Sequence, residues 1–327
     1  MKLMDCKTLI SNSAEKPKHP MVLKGLKEGH LGMLIAAPGL GKSRFALSIA
    51  LECSSTKQLV GLTARPGTPI PTLVISSEDD EEEVAKRMRH NISVLNPRET
   101  ELANENLVFA HEVMPFVIPP ESSSTAFVEY QRYIDDLIIT LKKFKLVIID
   151  TVSEIIGECD EVKHDRLIKN TFRDIAKKSG AAILLVHHIN KNEIRGTQNM
   201  TMASGAGLST VMRYVKFQLG LTKHNDGLVV HYLKKNYLAP KDAQSFTLIE
   251  DDGGLVMLSG LPVISAQPTS LQSKSSEPVL VQNPEIAPRP NKRKRRDRLT
   301  SDLSEPKSIE LALEATPDNI GDVRRVI

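Results

Sequence analysis

Short apolar runs alternate with longer amphipathic stretches over most of the chain. The short runs have the length and the branched side chains of buried strands, and they cover residues 32–36, 72–76, 107–110, 146–149 and 182–187. The longer stretches repeat their apolar positions as helices do, at residues 42–52, 79–95, 125–144 and 166–178. Because buried strands that alternate with helices form parallel sheets covered on both faces, the pattern predicts an α/β fold with a mainly parallel sheet.

The pattern changes after His188. Four further strand-like runs are separated by turn signals rich in Asp, Asn and Gly, and they cover residues 215–221, 228–233, 245–249 and 255–258. Tight turns of this kind join antiparallel neighbours. We therefore expect C-terminal antiparallel strands to follow the parallel sheet.

Composition separates the last part of the chain from the rest. Residues 262–327 hold eight of the 19 prolines, a single glycine and no aromatic residue. Such a segment cannot bury enough apolar surface to offset the entropy of ordering, so we expect a mostly disordered tail. The predicted organisation is an N-terminal extension at residues 1–21, one folded domain at residues 22–261, and the tail.

Charge and cysteine content exclude several classes of protein. The 43 Lys+Arg and 40 Asp+Glu residues leave a net charge of +3, which by itself gives no attraction to a polyanion. Cys6, Cys53 and Cys159 form no CxxC pair, which argues against a disulfide scaffold or a structural zinc and favours a reducing compartment. Since no run reaches the roughly 18 apolar residues of a membrane span, we expect a cytoplasmic protein with no membrane partner.

One segment, between the first buried strand and its helix, has the pattern of a phosphate-binding loop. It reads Ala36, Ala37, Pro38, Gly39, Leu40, Gly41, Lys42 and Ser43, with alanine in place of the usual first glycine. Gly39 and Gly41 let backbone N–H groups turn toward phosphates, and the new helix presents its positive end. Lys42 supplies a charge for the β and γ oxygens, and the Ser43 hydroxyl is a ligand for Mg²⁺. The segment therefore predicts binding of ATP with Mg²⁺.

Two carboxylates follow other predicted strands. Asp150 ends the run at residues 146–149, where an aspartate is placed to hold the Mg²⁺ shell. Glu78 comes just after the run at residues 72–76, at the sheet edge where the sites of parallel sheets form. We expect Glu78 to activate the attacking water; the alternative is a solvated helix cap, which fits the remaining acidic residues 79–83.

A histidine pair, His187 and His188, ends the last parallel run. Neighbours on a strand point to opposite faces, so one metal ion would not bind both rings. The pair is therefore either a core histidine beside a polar strand end, or a sensor in which one imidazole reads the γ-phosphate.

The ordered set of motifs resembles the RepA-type hexameric replicative helicases of plasmids, which belong to the RecA-like ATPase superfamily. The segments that carry the resemblance are APGLGKS, ISSEDD, KLVIIDT, LLVHHINK, STVMRYV and LKKNYLAP with the following DDGG, over about residues 22–258. The resemblance implies a RecA-like domain that assembles into a ring, a hexamer in this family, with ATP at each subunit boundary. It also implies translocation on single-stranded DNA and unwinding during replication of a plasmid or mobile element.

The resemblance also implies roles for residues within one subunit. It places Glu78 on the catalytic glutamate, Asp150 on the magnesium aspartate, and residues 37–43 on the phosphate loop. Arg87 matches a recurrent arginine close to the nucleotide, and His188 matches the second histidine of the sensor pair.

Three more residues match family positions near the subunit boundary. Arg213 matches the arginine finger that reaches the neighbour's ATP, and Lys234 and Asn236 match a Lys-x-Asn element. Considered without the resemblance, Arg213 is a surface arginine beside a strand.

DNA contacts are expected in loops that face the channel of RecA-like rings, at residues 153–166 and 189–204. Lys191 and Arg195 would track single-stranded phosphates; the alternative is a surface loop with two unrelated cations. The tail adds a basic run of Lys292, Arg293, Lys294, Arg295 and Arg296. This run is either a tether for nucleic acid, with the tail also able to recruit replication proteins, or a solubilising block of charge.

Three functions fit these features. The first is a ring-forming DNA helicase. The second is a RecA-like ATPase accessory of recombination or repair. The third is a nucleotide-gated DNA-binding regulatory protein without unwinding activity.

Overall fold

The computed structural model describes residues 3–15, 19–189, 208–224, 227–251 and 254–257, all of which belong to one compact unit, Met1–Ala266. The strands are β1 (Met21–Leu23), β2 (Leu26–Lys27), β3 (Leu31–Ala36), β4 (Thr72–Ser76), β5 (Leu107–Ala110), β6 (Leu146–Asp150), β7 (Ala182–His188), β8 (Phe217–His224), β9 (Gly227–Lys235), β10 (Phe246–Asp251) and β11 (Gly254–Met257). The helices are α1 (Cys6–Glu15), α2 (Lys42–Ser55), α3 (Glu81–Ile92), α4 (Pro97–Asn106), α5 (Ser124–Leu141), α6 (Val152–Ile155), α7 (Asp165–Ser179) and α8 (Ser209–Tyr214), with a 3₁₀ turn at Pro240–Asp242.

A mixed sheet runs through the centre of the unit, and its strand order over the described residues is β11-β10-β9-β8-β3-β7-β6-β4-β5. The strands from β8 to β5 are mutually parallel, and those from β8 to β11 pair antiparallel. This sheet, flanked by helices, confirms the predicted α/β fold. One prediction needs correction, because β8 is antiparallel to β9 but parallel to β3. The long connection from β7 through α8 allows the crossover that parallel pairing requires.

Two apolar layers cover the sheet because successive side chains of each strand point to opposite faces. Leu34, Val74 and Ile148 pack toward α2 on one face. Met33 and Ile149 pack toward α5 and α7 on the other face. The apolar runs of these strands are continuous in the sequence because both faces of the sheet are buried. No helix among the described residues is long and apolar enough to cross a membrane.

Helix boundaries follow local capping. The helix predicted over residues 79–95 begins at Glu81 because the Asp80 side chain accepts the Glu83 N–H at 2.8 Å. Helix α4 was not predicted, since Ala103 is its one buried residue and the segment lacks apolar periodicity. Its signal was a capping box, in which Asn96 and Glu99 bond each other's backbone N–H.

Candidate functional site

The phosphate loop, residues 36–43, joins β3 to α2. Gly39 and Gly41 adopt left-handed φ angles of 77° and 79°. A Cβ atom at Gly39 would meet nothing within 4 Å, so the backbone conformation, not lack of space, calls for glycine there. Gly41 is the N-cap of α2 and has no side chain to bond the N–H groups of the first turn. These N–H groups are therefore available to an anionic ligand.

Lys42, His188 and Glu78 form a hydrogen-bonded chain beside this loop. Lys42 Nζ lies 2.8 Å from His188 Nδ1, and His188 Nε2 lies 3.2 Å from Glu78 Oε2. Since an ammonium group can only donate, Nδ1 accepts, and the proton of a neutral ring then sits on Nε2 and points to Glu78. Burial lowers the pKa of Lys42, while the nearby carboxylates of Asp150 and Glu78 oppose this shift.

Asp150 and Ser43 provide oxygen ligands next to the Lys42 ammonium. The Asp150 side chain is buried, and its Oδ1 has no hydrogen-bond partner within the described part of the chain. Burial raises the pKa of Asp150, and a hydrogen bond from the Ser43 side chain opposes the rise. A buried carboxylate oxygen left without a donor, beside a hydroxyl, is a donor set that Mg²⁺ prefers. The residues present therefore fit Mg²⁺.

Arg87 lies beside this group but is engaged by carboxylates of its own chain. Its guanidinium binds Asp79 through both Nη atoms, with Nη2 3.1 Å from Asp79 Oδ1, and its Nε lies 3.2 Å from Glu83 Oε1. The sequence identified Arg87 but not Asp79 as its partner, because the acidic run offers six carboxylates at similar spacing. Arg87 would have to exchange partners to reach a nucleotide.

The two histidines of β7 have different surroundings. His188 belongs to the chain just described, whereas His187 is buried on the opposite face. The His187 Nδ1 lies 3.5 Å from Ser153 Oγ, and this hydroxyl donates to Glu161 Oε1 at 2.7 Å. Ser153 and Glu161 therefore connect β7 to the segment after β6. The sequence did not single out either residue, since a contact across 34 positions leaves no local signal.

Arg213, Lys234 and Asn236, here called the Arg213 cluster, gather around the start of β8. Arg213 is exposed on α8, and the Lys234 ammonium donates to the carbonyls of Met212, of Arg213 at 3.1 Å, and of Val215 at 3.4 Å. A cation at these carbonyls stabilises the C-terminal end of α8.

Asp165 stabilises the other end of α8. Its carboxylate accepts the Ser209 hydroxyl at 3.0 Å and the Thr210 N–H at 2.6 Å. The short helix that carries Arg213 is thus fixed at both ends.

Strand register shows that the phosphate loop and the Arg213 cluster lie at opposite ends of β3. Phe217 pairs with Gly32 and Lys234 pairs with Gln218, whereas the phosphate loop follows Ala36. At about 3.3 Å per residue, the four steps from residue 32 to residue 36 span about 13 Å. The structure therefore brings Lys42, Ser43, Glu78, Asp150 and His188 together and keeps the Arg213 cluster apart from them.

The predicted DNA-binding residues Lys191, Arg195, Lys292, Arg293, Lys294, Arg295 and Arg296 lie outside the described residues. Of the segment at residues 153–166, the structure places residues 153–155 in α6 and residues 165–166 in α7, with turns between them.

A phosphate-loop motif after β3, one carboxylate just after β4, another at the end of β6 and a histidine at the end of β7 have the arrangement of a RecA-like P-loop ATPase core. The sequence profile described as "AAA domain" matches residues 2–193, and the chain belongs to that family. Family membership supports ATPase activity and nucleotide binding. No curated protein matches the sequence.

Solved structures that resemble this fold include an ATPase domain and a replicative helicase. The ATPase domain has a TM-score of 0.53 and 12% identity over 77% of this chain and 96% of that one. The second is a DnaB-like replicative helicase, solved for its interactions with primase, with a TM-score of 0.55 and 12% identity over 78% of this chain and 67% of that one. At this identity the likeness establishes the RecA-like fold.

Proposed function

We propose that this protein is a ring-forming, ATP-dependent DNA helicase or translocase of the RepA type that acts on single-stranded DNA. The observation that carries the proposal is the separation of two charged groups to opposite ends of β3. In a head-to-tail contact two different faces of neighbouring copies meet, and a rotation that closes gives a ring. The Arg213 cluster of one copy can then complete the phosphate loop of the next.

The hydrogen-bonded chain of Lys42, His188 and Glu78 has the arrangement expected of a nucleotide sensor. Phosphate oxygens of ATP compete for the Lys42 ammonium, which in the structure donates to His188 at 2.8 Å. Once Lys42 turns to the phosphates, His188 loses its donor and its hydrogen bond to Glu78 is free to rearrange. Glu78 then orients the attacking water as a general base.

Ser43 and Asp150 are the residues that would hold Mg²⁺. When bound, the metal neutralises charge on the phosphate oxygens. Arg213 of the neighbouring copy would add a positive charge as negative charge shifts during transfer of the γ-phosphoryl group, an effect worth about 10³-fold or more in related systems.

The DNA contacts of the proposal rest on the sequence. Lys191 and Arg195 would track the phosphates of the single strand, and the run at residues 292–296 would act as a tether. Residues 22–261 form the proposed ATPase domain, and the tail at 262–327 would reach DNA or replication proteins. Replication of a plasmid or mobile element is the proposed setting.

The test is to measure ATP turnover with and without single-stranded DNA, alongside mass in solution and unwinding of a forked duplex. The proposal expects assembly with nucleotide, DNA-stimulated turnover and strand separation, and it expects Lys42→Ala to lose the turnover and the strand separation. Stimulated turnover without unwinding would favour the repair accessory, and turnover that ignores DNA would favour the regulatory protein. A protomer that stays single with nucleotide and DNA contradicts the ring.

A further inference from the structure

The helix that carries Arg213 is too short to be stable on its own. Helix α8 has six residues, Ser209–Tyr214, and the side chain of its N-cap residue, Leu208, makes no capping hydrogen bond. Isolated helices shorter than about 12–15 residues are marginal in water, so the orientation of α8 depends on contacts with other elements. The Arg213 side chain is exposed, and among the described residues no hydrogen bond or ion pair holds its guanidinium group. The orientation of Arg213 therefore depends on how α8 is anchored.

Asp165 supplies the anchor that α8 lacks in its own sequence. Its Oδ2 accepts the Ser209 hydroxyl at 3.0 Å and the Thr210 N–H at 2.6 Å, and its Oδ1 accepts the Val211 N–H at 3.4 Å. Both oxygens of this buried carboxylate therefore face donors of α8. Hydrogen bonds to an ionised acceptor are about twice as strong as neutral ones. The anchor joins α7 to α8 across 44 positions of the chain.

Asp165 is itself held by the turn before α7 and by the body of that helix. The His164 N–H donates to the Asp160 carbonyl at 2.9 Å, and the Ile168 N–H donates to the His164 carbonyl at 2.9 Å. Ile168 and Phe172 are fully buried in an apolar layer that covers the sheet. The first turn of α7 is therefore well fixed, and Asp165 extends this support to α8.

The proposed function forms each nucleotide site from the phosphate loop of one copy and Arg213 of the next, here called the shared site. We propose that Asp165 is a positioning residue for the shared site, because it holds Arg213 of its own copy in the orientation that meets the neighbour's nucleotide. The inference rests on the proposed function and deepens it. A displacement of about 1 Å can cost about 10²-fold in rate, so the loss of a rigid anchor has a measurable effect on turnover.

A purely structural cap is the alternative role for Asp165, and the two roles lead to different results. A cap that only stabilises the fold would support the phosphate loop of its own copy as much as the Arg213 that this copy offers to a neighbour. A positioning residue supports Arg213 alone. Because the phosphate loop and Arg213 of one copy belong to two different shared sites, a mixture of variants separates the two roles.

The test uses Asp165→Asn in the full chain, with Asp136→Asn on the exposed face of α5 as the matched control. The change keeps the size of the side chain but replaces one acceptor oxygen by an amide group that donates, so a donor faces the N–H groups of α8. At saturating ATP and DNA, kcat should fall by about 10–100-fold. The affinity for a fluorescent ATP analogue should match that of the control, because the phosphate loop of the same copy is unchanged.

A second variant keeps the test decisive if Asp165→Asn does not fold, which its Tm will show. Ser209→Ala removes one of the three donors and introduces no mismatched partner. It should lower kcat by about fivefold, since the carboxylate keeps its two backbone donors.

Mixing shows in which copy the defect lies. Lys42→Ala lacks a working phosphate loop but keeps Asp165 and Arg213. In an equal mixture with Asp165→Asn, about one contact in four pairs an intact loop with a well-placed arginine, so about a quarter of the unmodified turnover should return. Arg213→Ala has no arginine to offer, and its mixture with Asp165→Asn should stay at or below the turnover of Asp165→Asn alone.

Two results would overturn the inference while leaving the proposed function standing. One is a kcat for both Asp165→Asn and Ser209→Ala within twofold of the control. The other is a turnover of Asp165→Asn that Lys42→Ala does not restore, or that Arg213→Ala restores instead, which would place the defect in the fold or the phosphate loop of the same copy. If Lys42→Ala and Arg213→Ala restore nothing when mixed with each other, the shared site itself is wrong, and the inference fails together with the proposed function.

Discussion

Asp150 illustrates a conflict between stability and function within one residue. Its carboxylate is buried at the end of β6, with one oxygen lacking a partner among the described residues, and burial raises its pKa. A charge in this position costs stability when no metal is bound. Phosphate-loop ATPases need that charge when the nucleotide arrives. Under the proposed function, Asp150 is therefore placed to hold Mg²⁺ although the burial of its charge lowers the stability of the fold.

The first prediction concerns Asp150→Asn. Because the folded pKa is raised, the cost of the buried charge is absent at low pH and grows as pH rises through the folded pKa. The asparagine variant should therefore be more stable at pH 7–8 without nucleotide, by about 1 kcal/mol, or a Tm increase of about 2–4 °C. Thermal unfolding from pH 4 to pH 8 tests this, and the gain should vanish toward pH 4. An unchanged or lower Tm at neutral pH would contradict it.

The second prediction concerns Glu78, which is half-exposed and lies 3.2 Å from His188 Nε2. Glu78→Gln should lower kcat by about 10²–10⁴-fold because a general base is lost. Affinity for ATP should change little, since Lys42 and the loop N–H groups remain. Glu82→Gln, on the exposed start of α3, is the matched control. Fluorescent-nucleotide binding and single-turnover hydrolysis separate the two effects, and equal turnover in both variants would exclude Glu78 as the base.

At the residue scale, the sequence allows a site to be predicted where the chemistry is local. The phosphate loop needs glycines, a lysine and a hydroxyl in consecutive positions, so its pattern is visible in the chain. The contact between Lys42 and His188 crosses 146 positions, and Lys234 binds main-chain carbonyls that have no residue signature. Such partners depend on strand order, which requires the folded structure.

Among the elements, α2 and the segment after it are joined by a buried carboxylate. Glu52 is buried and accepts the N–H groups of Leu59, Val60, Gly61 and Thr63 at 2.6–2.9 Å. The segment forms only an isolated bridge, between Thr63 and Leu23 of β1, and these four N–H groups are bonded by the carboxylate instead of by a strand. Glu52 therefore fixes how the chain leaves the helix that carries the phosphate loop.

The third prediction follows from this arrangement. Glu52→Ala should lower the free energy of unfolding by about 2–4 kcal/mol, since several buried donors lose their acceptor at once. Glu101→Gln, on the exposed face of α4, should change it by less than about 0.5 kcal/mol. Urea unfolding followed by circular dichroism measures both, and a similar midpoint for the two variants would contradict the role of Glu52.

Elements with strong apolar patterns were predicted from the sequence. Features that depend on helix capping or on chain connectivity were not. Strand β4 has the predicted bounds because all five of its residues are buried. Helix α4 is polar and depends on its capping box. The parallel pairing of β8 with β3 is made possible by the crossover connection before β8, and the residues of β8 themselves do not reveal it. At Gly32, a Cβ atom would come within 2.8 Å of the Phe217 ring, so the pairing of β3 with β8 requires glycine there.

For the whole molecule, the opposed placement of the phosphate loop and the Arg213 cluster determines what one copy can do. Under the proposed function a single copy binds nucleotide through Lys42 and Ser43, but its own Arg213 lies near the other end of β3. The fourth prediction is that Arg213→Ala keeps nucleotide binding and loses turnover by about 10³-fold. Equilibrium binding and steady-state hydrolysis on the same preparation measure both, with Lys143→Met as control.

Mixing two inactive variants tests the shared site most directly. Lys42→Ala removes the phosphate-loop cation, and Arg213→Ala removes the residue proposed to act on the neighbour. In a head-to-tail ring assembled from equal amounts, about one contact in four pairs an intact loop with an intact arginine. The mixture should therefore regain about a quarter of the unmodified turnover, although each variant alone is inactive. A mixture no more active than the separate variants would contradict a site shared between two copies.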